Sequence, residues 1–368
     1  MDSSVSATKP DPPALPSLRA APVFLSDSFE ELLRFTLSAS LVQDSEVSLG
    51  FSHEYCENLL RDDPFSSSSH ISTIAVGGVP EYPLYKNLAR ALESCIRSGK
   101  FFRDLCSVKG LREDESFRLK QKEFDRLIAE KGAELVNIME DVEFELHVQE
   151  PLFSQLKEGL KTAVGRCATE DYNRISAGAL LLFNRCLLLE VQVLFRTSEG
   201  MVRSQRCLKW NLLMLFQASN QLKKGLGSEG VGALLGMMHT AGTVSDALPP
   251  PKSQLLSSFM KLYRPNSEGS TLTDAARSLA KHTHRSSEGW WGSFRGGDSE
   301  KNRLALEIVR RLLNECCWMN VYDIPTHGRV FEIRVHEGYG ARWSHDGSKF
   351  IGFLEPYTEE GHSKGWKH

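Results

Sequence analysis

EFELHVQEPLFSQLKEGLKTAVGRCATEDYNRISAGALLLFNRCLLLEVQ, residues Glu143–Gln192, is the stretch from which the fold is read. Phe144, Leu146 and Val148 alternate with Glu145, His147 and Gln149, the period-two pattern of a half-buried strand. Pro151 suits a first helical position, Phe153, Leu156 and Leu160 recur at helical spacing, and Gly159 is a terminator, so a short helix is predicted next. A small-residue stretch through Gly165-Arg166 and a polar loop through Asp171, Tyr172 and Asn173 follow. Gly178 then opens Leu180-Leu181-Leu182-Phe183, and after Asn184-Arg185 the run Leu187–Val191 returns as its hairpin partner. Strand, helix, strand and hairpin describe a small curled sheet with one helix plugging it.

The order strand, EPLFSQLKEG helix, GLKTAVGR, SAGALLLF, LLLEV resembles the first half of an ASCH domain (activating-signal-cointegrator homology), a PUA-like barrel. The segments ALPPPKSQLLSSF and GYGARWSHDGSKFIGFLEPYTEEGHSKGWKH extend the likeness to plant ASCH domain-containing proteins. That resemblance implies a pocket-bearing barrel associated with RNA or nucleotide binding. Beyond Gln192 the likeness stops: Leu208, Leu212, Leu213, Leu215, Phe216 and Leu222 predict a helix over Met201–Lys224, where more barrel strands are expected. An internal loss or an alternative exon junction between about Val193 and Gly230 is the preferred explanation, and an unclosed barrel would expose strand edges.

Within the resemblance, Gly159-Leu160-Lys161-Thr162-Ala163-Val164-Gly165-Arg166 is similar to the family motif G-x-K-T-x-E-x-R, whose Lys, Glu and Arg project into the barrel cleft. Lys161, Thr162 and Arg166 match. Val164 stands where an acidic residue, or a hydroxyl residue in amidohydrolase relatives, is expected, and Ala179 replaces the Asp that usually follows Gly178. An amidohydrolase needs an amine to assist the hydroxyl and a carboxylate to move a proton, and valine does neither. No catalytic residue is therefore assigned. Binding asks less: Lys161 and Arg166 can neutralise phosphates, the backbone at Gly159 permits close approach, and Tyr172 can stack on a base. Gly159, Lys161, Thr162, Arg166 and Tyr172 are thus the candidate nucleic-acid contacts, weighed equally against a bland reading as solvated rim residues.

The whole chain sets the bounds. Its 368 residues leave room for two or three folding units, and 41% hydrophobic with 25% charged residues fits a globular protein. A net charge of −3 and a pI near 6.4 exclude a generally basic nucleic-acid binder, so contact with RNA has to come from a local patch. No leader and no run of about 18–20 apolar residues is seen, which predicts a soluble protein of the nucleus or cytoplasm with no membrane partner. The eight cysteines lack paired spacing and read as reduced thiols. Neither the adjacent Cys316-Cys317 nor His327, His336, His345, His362 and His368 have metal-site spacing, so no metal or cofactor is expected.

The fold class expected is α+β, a mostly helical chain around a small PUA-like β-barrel whose closure the sequence leaves undecided, with a C-terminal β-hairpin module. In order, 1–22 is a Ser/Ala/Pro-rich disordered arm, 23–140 a helical region, 141–193 the partial ASCH domain, 194–230 a diverged helical junction, 231–325 a second helical region and 326–368 a hairpin and tail. The helix-end cluster Lys281-His282-Thr283-His284-Arg285 reads as charge complementing the helix dipole. Trp290, Trp291 and Phe294 read first as loop residues packed on a core, second as base-stacking residues. Asp346-Gly347 is a hairpin turn signal. Three functions are carried forward: a non-catalytic RNA- or nucleic-acid-interacting protein acting as a coregulator or RNA-processing factor, a protein-interaction scaffold with a vestigial barrel, and an amidohydrolase of modified nucleosides.

Overall fold

The computed structural model describes residues 25–41, 50–64, 77–101, 108, 111–161, 165–167, 175–192, 195–196, 201–203, 208–209, 212–263, 271–283, 289–325 and 327–357. They fall into two compact units, one spanning Ile138–Leu215 and one made of Leu25–Asn137 with Phe216–His368. The α+β class holds for both.

The second unit begins with helices α1 (Leu25–Ser40), α2 (His53–Leu60) and α3 (Leu84–Ser98). Phe29, Leu32, Leu33 and Leu37 of α1, and Leu84, Leu88, Leu92, Cys95 and Ile96 of α3, form buried stripes at helical spacing. Gly99, at φ +67°, ends α3, with the Lys100 N–H donating 3.2 Å to Cys95 O. The long helix predicted through Met139 is divided: α4 (Glu115–Leu127), one π turn (Ile128–Gly132) and α5 (Ala133–Glu140). A Cβ on Gly132 would lie 2.9 Å from Ile96 Cγ1, so the missing side chain is what lets this turn meet α3.

The first unit starts at strand β1 (Val142–Leu146), followed by α6 (Leu152–Lys157), β2 (Gly165–Cys167), β3 (Leu180–Phe183) and β4 (Leu187–Val191). β1 runs parallel to β3, while β3 and β4 form the predicted hairpin with Phe183 opposite Leu187. Asn184 and Arg185 take the positive φ of its turn, 47° and 61°. The Asn184 amide clamps that turn by accepting from Val148 N–H and donating to Val148 O, both at 2.9 Å. Phe144, Leu146, Val148, Leu156, Leu181, Phe183, Leu187, Leu189 and Val191 make this unit's core.

Past Gln192 the structure departs from the sequence reading. In place of a helix from Met201, the chain forms β5 (Phe195–Arg196), β6 (Met201–Arg203) and β7 (Leu208–Lys209), and the next helix, α7 (Leu212–Leu234), starts only at Leu212. β7 extends the first sheet to the order β1-β3-β4-β7, and β2-β6-β5 form a second. The apolar residues counted as one helical stripe belong partly to short strands, whose two or three residues are too few to show a period.

The C-terminal part continues with α8 (Lys252–Phe259), α9 (Asp274–Thr283) and α10 (Asp298–Glu315). It ends not in a lone hairpin but in a four-stranded antiparallel meander, β8 (Trp318–Ile324), β9 (Gly328–Arg334), β10 (Gly340–Ser344) and β11 (Phe350–Leu354). Phe331, Ile333 and Val335 of the β9 segment enter a core with Leu255 and Phe259 of α8, Leu279 of α9 and Val309 and Leu312 of α10. Each such side chain fully removed from water contributes roughly 1.5–3 kcal/mol. The turn predicted at Asp346-Gly347 joins β10 to β11, with Gly347 at φ +73° and Asp346 accepting 3.0 Å from the Ser348 N–H. Cys317 is disulfide-bonded, against the expectation of reduced thiols, while Cys56, Cys95, Cys186 and Cys316 are buried thiols outside any disulfide.

One interior group costs stability. Lys223 of α7 is 1% exposed, its Nζ donates to Thr36 Oγ1, and burial pushes its pKa down to about 7. The unfolded chain binds this proton with the ordinary lysine affinity near about 10.4, so it holds more protons than the native state between those values and stability rises with pH across that window. Lys223→Met is expected to raise stability at pH 7 by a few kcal/mol, on the order expected for a fully buried amine, and to flatten the pH 7–10 dependence in denaturant titrations. A variant no more stable than the parent at pH 7 would refute the assignment.

Candidate functional site

The family-motif residues sit where α6 runs into β2. Gly159, at φ +70°, closes α6 with its N–H 3.2 Å from Leu156 O. The chain then turns back, the Lys161 N–H donating 3.0 Å to Gln155 O, which leaves the Lys161 side chain exposed. Arg166 occupies β2 opposite Val202 of β6. Thr162 and Tyr172 lie outside the described residues. Of the motif, the described residues thus place Gly159 and Lys161 at the end of α6 and Arg166 in β2.

A second polar constellation was not anticipated. Because residues alternate sides along a strand, Phe331 and Ile333 on the core face put Glu332 and Arg334 on the opposite one. Register sets Arg342 of β10 directly across from Glu332. Arg334 Nε donates 2.6 Å to Glu332 Oε1, while Arg342 donates to Glu332 Oε2 through Nε at 2.9 Å and Nη2 at 2.5 Å. The Tyr322 hydroxyl donates to the same oxygen at 2.5 Å and accepts from Arg342 Nη2 at 2.9 Å. Arg334 Nη1 also donates to the carbonyls of Gly338 (2.6 Å) and Glu355 (2.9 Å).

The electrostatics follow from that wiring. Burial alone would push the Glu332 carboxyl up, yet the two guanidinium groups and the Tyr322 hydroxyl outweigh it and hold it below the usual carboxylate range. Burial and the adjacent Glu332 carboxylate drive Tyr322 upward, so it stays a phenol. With both oxygens engaged, Glu332 is not a free base; the cluster fixes donors in place.

A third feature is a histidine held by a carboxylate. His282, in the last turn of α9, places Nδ1 2.7 Å from Glu355 Oε1, and Trp291 Nε1 donates 2.9 Å to that same oxygen. The imidazole lies beside Trp291 and Phe353, ring centroids 5.3 and 6.2 Å away. An Nδ1–H donated to Glu355 leaves Nε2 as the basic nitrogen. Sequence reading saw His282 only as a helix-end cation, because Glu355 lies 73 residues away in the chain. Trp291 is fully buried and Trp290 is stacked between Tyr339, 4.3 Å away, and Arg311, 4.7 Å away, so both pack the core and leave no open face for a base. Among the described residues no three His, Cys, Asp or Glu side chains could hold a metal, and no helix is long and apolar enough to cross a membrane.

Two family models match the chain: residues 146–222 match the ASCH domain, and residues 263–355 match the CdiA C-terminal tRNase toxin domain. The chain thus contains an ASCH domain, and the match runs past Gln192 through β5, β6 and β7. The second match takes in α9, α10 and the whole meander. No curated protein and no solved structure matches.

Removing the charge of Glu332 tests whether the sheet depends on it. Glu332→Gln is expected to destabilise the protein by about 3–5 kcal/mol, the range for breaking a buried ion pair from one side, measured by chemical denaturation. Tyr322→Phe, which removes one hydrogen-bonding hydroxyl, should cost only about 1 kcal/mol.

Proposed function

We propose that this chain is an RNA-interacting protein whose ASCH domain contacts RNA without catalysis, as a coregulator or RNA-processing factor of the nucleus or cytoplasm. The observation that carries the reading is the exposed Lys161 just beyond Gly159, five residues before Arg166 in the chain, within an ASCH-matching stretch. A lysine and an arginine so placed meet phosphates, which fix position on RNA rather than read sequence. Val164 at the motif's acidic position supports binding over amidohydrolysis. Lys161→Ala/Arg166→Ala is expected to weaken binding of a single-stranded RNA oligonucleotide and to lower the slope of log K against log salt by about 1–2. Unchanged affinity and slope in the double variant would remove these residues from the interface. If nuclease treatment leaves a set of captured proteins intact while RNA binding is absent, the scaffold reading takes its place.

A second reading, RNA cleavage, is favoured by the match of 263–355 to a tRNase toxin domain together with the His282–Glu355 pair inside that stretch. In it, His282 Nε2 takes the proton from a ribose 2′-hydroxyl, whose oxygen attacks the adjacent phosphorus. The P–O5′ bond breaks, giving a 2′,3′-cyclic phosphate, and the departing 5′ oxygen takes a proton from solvent water to become a 5′-hydroxyl while His282 returns its proton to solvent. Incubation of the full chain with tRNA in chelator should yield fragments with cyclic ends, lost in His282→Ala; intact tRNA throughout would exclude the reading.

A further inference from the structure

The β9–β10 face that carries Glu332 leaves guanidinium N–H groups over. Around Glu332 two arginines meet a single carboxylate, whose two oxygens are shared among Arg334, Arg342 and Tyr322. Arg334 spends Nε on Glu332 and Nη1 on two backbone carbonyls, while its Nη2 has no acceptor among the described residues, and the Glu355 carboxylate is turned to His282 and Trp291. Arg342 spends Nε and Nη2 on Glu332 and Tyr322. Among the described residues nothing accepts from its Nη1. Nor is Nη1 among the sealed, unpartnered polar atoms, which are Ser28 Oγ, Asn220 Oδ1 and Trp290 Nε1; it therefore keeps some opening to solvent at the rim of a mostly buried face.

Arg342 as a whole is only 9% exposed. A guanidinium this desolvated, held in one rotamer by a carboxylate at its back, loses little further entropy on meeting an oxyanion. It also sits where the local count of charge is positive by one. Tyr322, held as a phenol, stands beside it at the same edge, with its ring 5.9 Å from the guanidinium carbon.

We propose that Arg342 Nη1, oriented by Glu332 and flanked by the Tyr322 hydroxyl, forms a phosphate-binding site on the outer face of the meander, which takes a phosphodiester of RNA. Arg342 makes the contact, Glu332 and Arg334 are positioning residues, and none of them lies in the ASCH-matching stretch that holds Lys161 and Arg166. The identity of the ligand rests on the RNA reading above; the oxyanion chemistry does not.

The test uses the full chain and two probes. Inorganic phosphate is titrated against chloride at matched ionic strength, following the melting temperature, and a labelled single-stranded RNA is titrated by fluorescence anisotropy. Phosphate should raise the melting temperature of the parent and of Lys161→Ala/Arg166→Ala, but not of Arg342→Gln. RNA affinity should fall about tenfold in Arg342→Gln, the loss expected for one charge-assisted contact, and less in Arg342→Lys, which keeps the charge without the fork. Should Arg342→Gln not fold, Tyr322→Phe serves instead: it keeps Glu332 and both arginines, and a loss of phosphate response there supports the site. No phosphate response in the parent overturns it. A phosphate response with RNA affinity unchanged in Arg342→Gln overturns the RNA assignment and leaves a free-phosphate site. RNA affinity lost only in Lys161→Ala/Arg166→Ala, with no phosphate response, overturns this inference while the ASCH reading stands.

Discussion

The C-terminal meander depends on a carboxylate that should not, on solvation grounds, be where it is. Glu332 is 1% exposed in the second strand of the sheet, and ionising a carboxyl there is unfavourable unless cations meet it at close range. Arg334, two residues along the same strand, and Arg342, directly opposite on the next, supply that contact. The arrangement tolerates no slip in register, since a one-residue shift would send Glu332 into the core with Phe331 and Ile333 and bring those apolar groups out. Polar and apolar faces thus enforce the same pairing of β9 with β10. An apolar residue in place of Glu332 would satisfy burial but would leave two guanidinium groups facing each other.

Much of this was legible in the sequence, and the failures have a common cause. β1, α6 and the β3–β4 hairpin were read from period, from the proline and glycine around α6 and from the runs flanking Asn184-Arg185, all of them local signals. The helix ending at Gly99 and the turn at Asp346-Gly347 were local too. What escaped was set by distant partners. Val330 and Phe331 are both buried, so β9 carries apolar residues on both faces, and only the neighbouring strands reveal that Val330, Glu332 and Arg334 share one of them. β5, β6 and β7 are two or three residues long and owe their extended form to pairing, so a helical reading that ran Leu208 together with the leucines of α7 met no local contradiction.

The candidate sites divide in the same manner. Gly159, Lys161 and Arg166 were found through a contiguous motif, which a single sequence displays in full. The pairing of His282 with Glu355 and of Arg342 with Glu332 spans 73 and 10 residues, and neither spacing corresponds to any local periodicity. Charge totals were equally silent: a net charge of −3 describes a chain in which the cations that matter are few and placed beside strands or helix ends.

The two matched stretches make different demands on chemistry, and the residues answer them differently. In the ASCH-matching stretch the acidic position of the motif is Val164, so the cations there have no proton-transfer partner within the motif and can act only by charge and hydrogen bonding. In the tRNase-toxin-like stretch a carboxylate is present, but Glu332 is saturated by donors and cannot take a proton. A base there has to be a group with an unspent lone pair, and the geometry offers His282, whose Nδ1 is occupied by Glu355 and whose Nε2 is not. Anion contact and proton transfer therefore fall to different side chains, Arg342 on the outer face of the meander and His282 packed beside Trp291 and Phe353 of its core. A phosphate held by Arg342 need not be one that His282 can attack. As proposed, a phosphate at Arg342 does not entail cleavage, and cleavage would require RNA to reach His282 by contacts of its own.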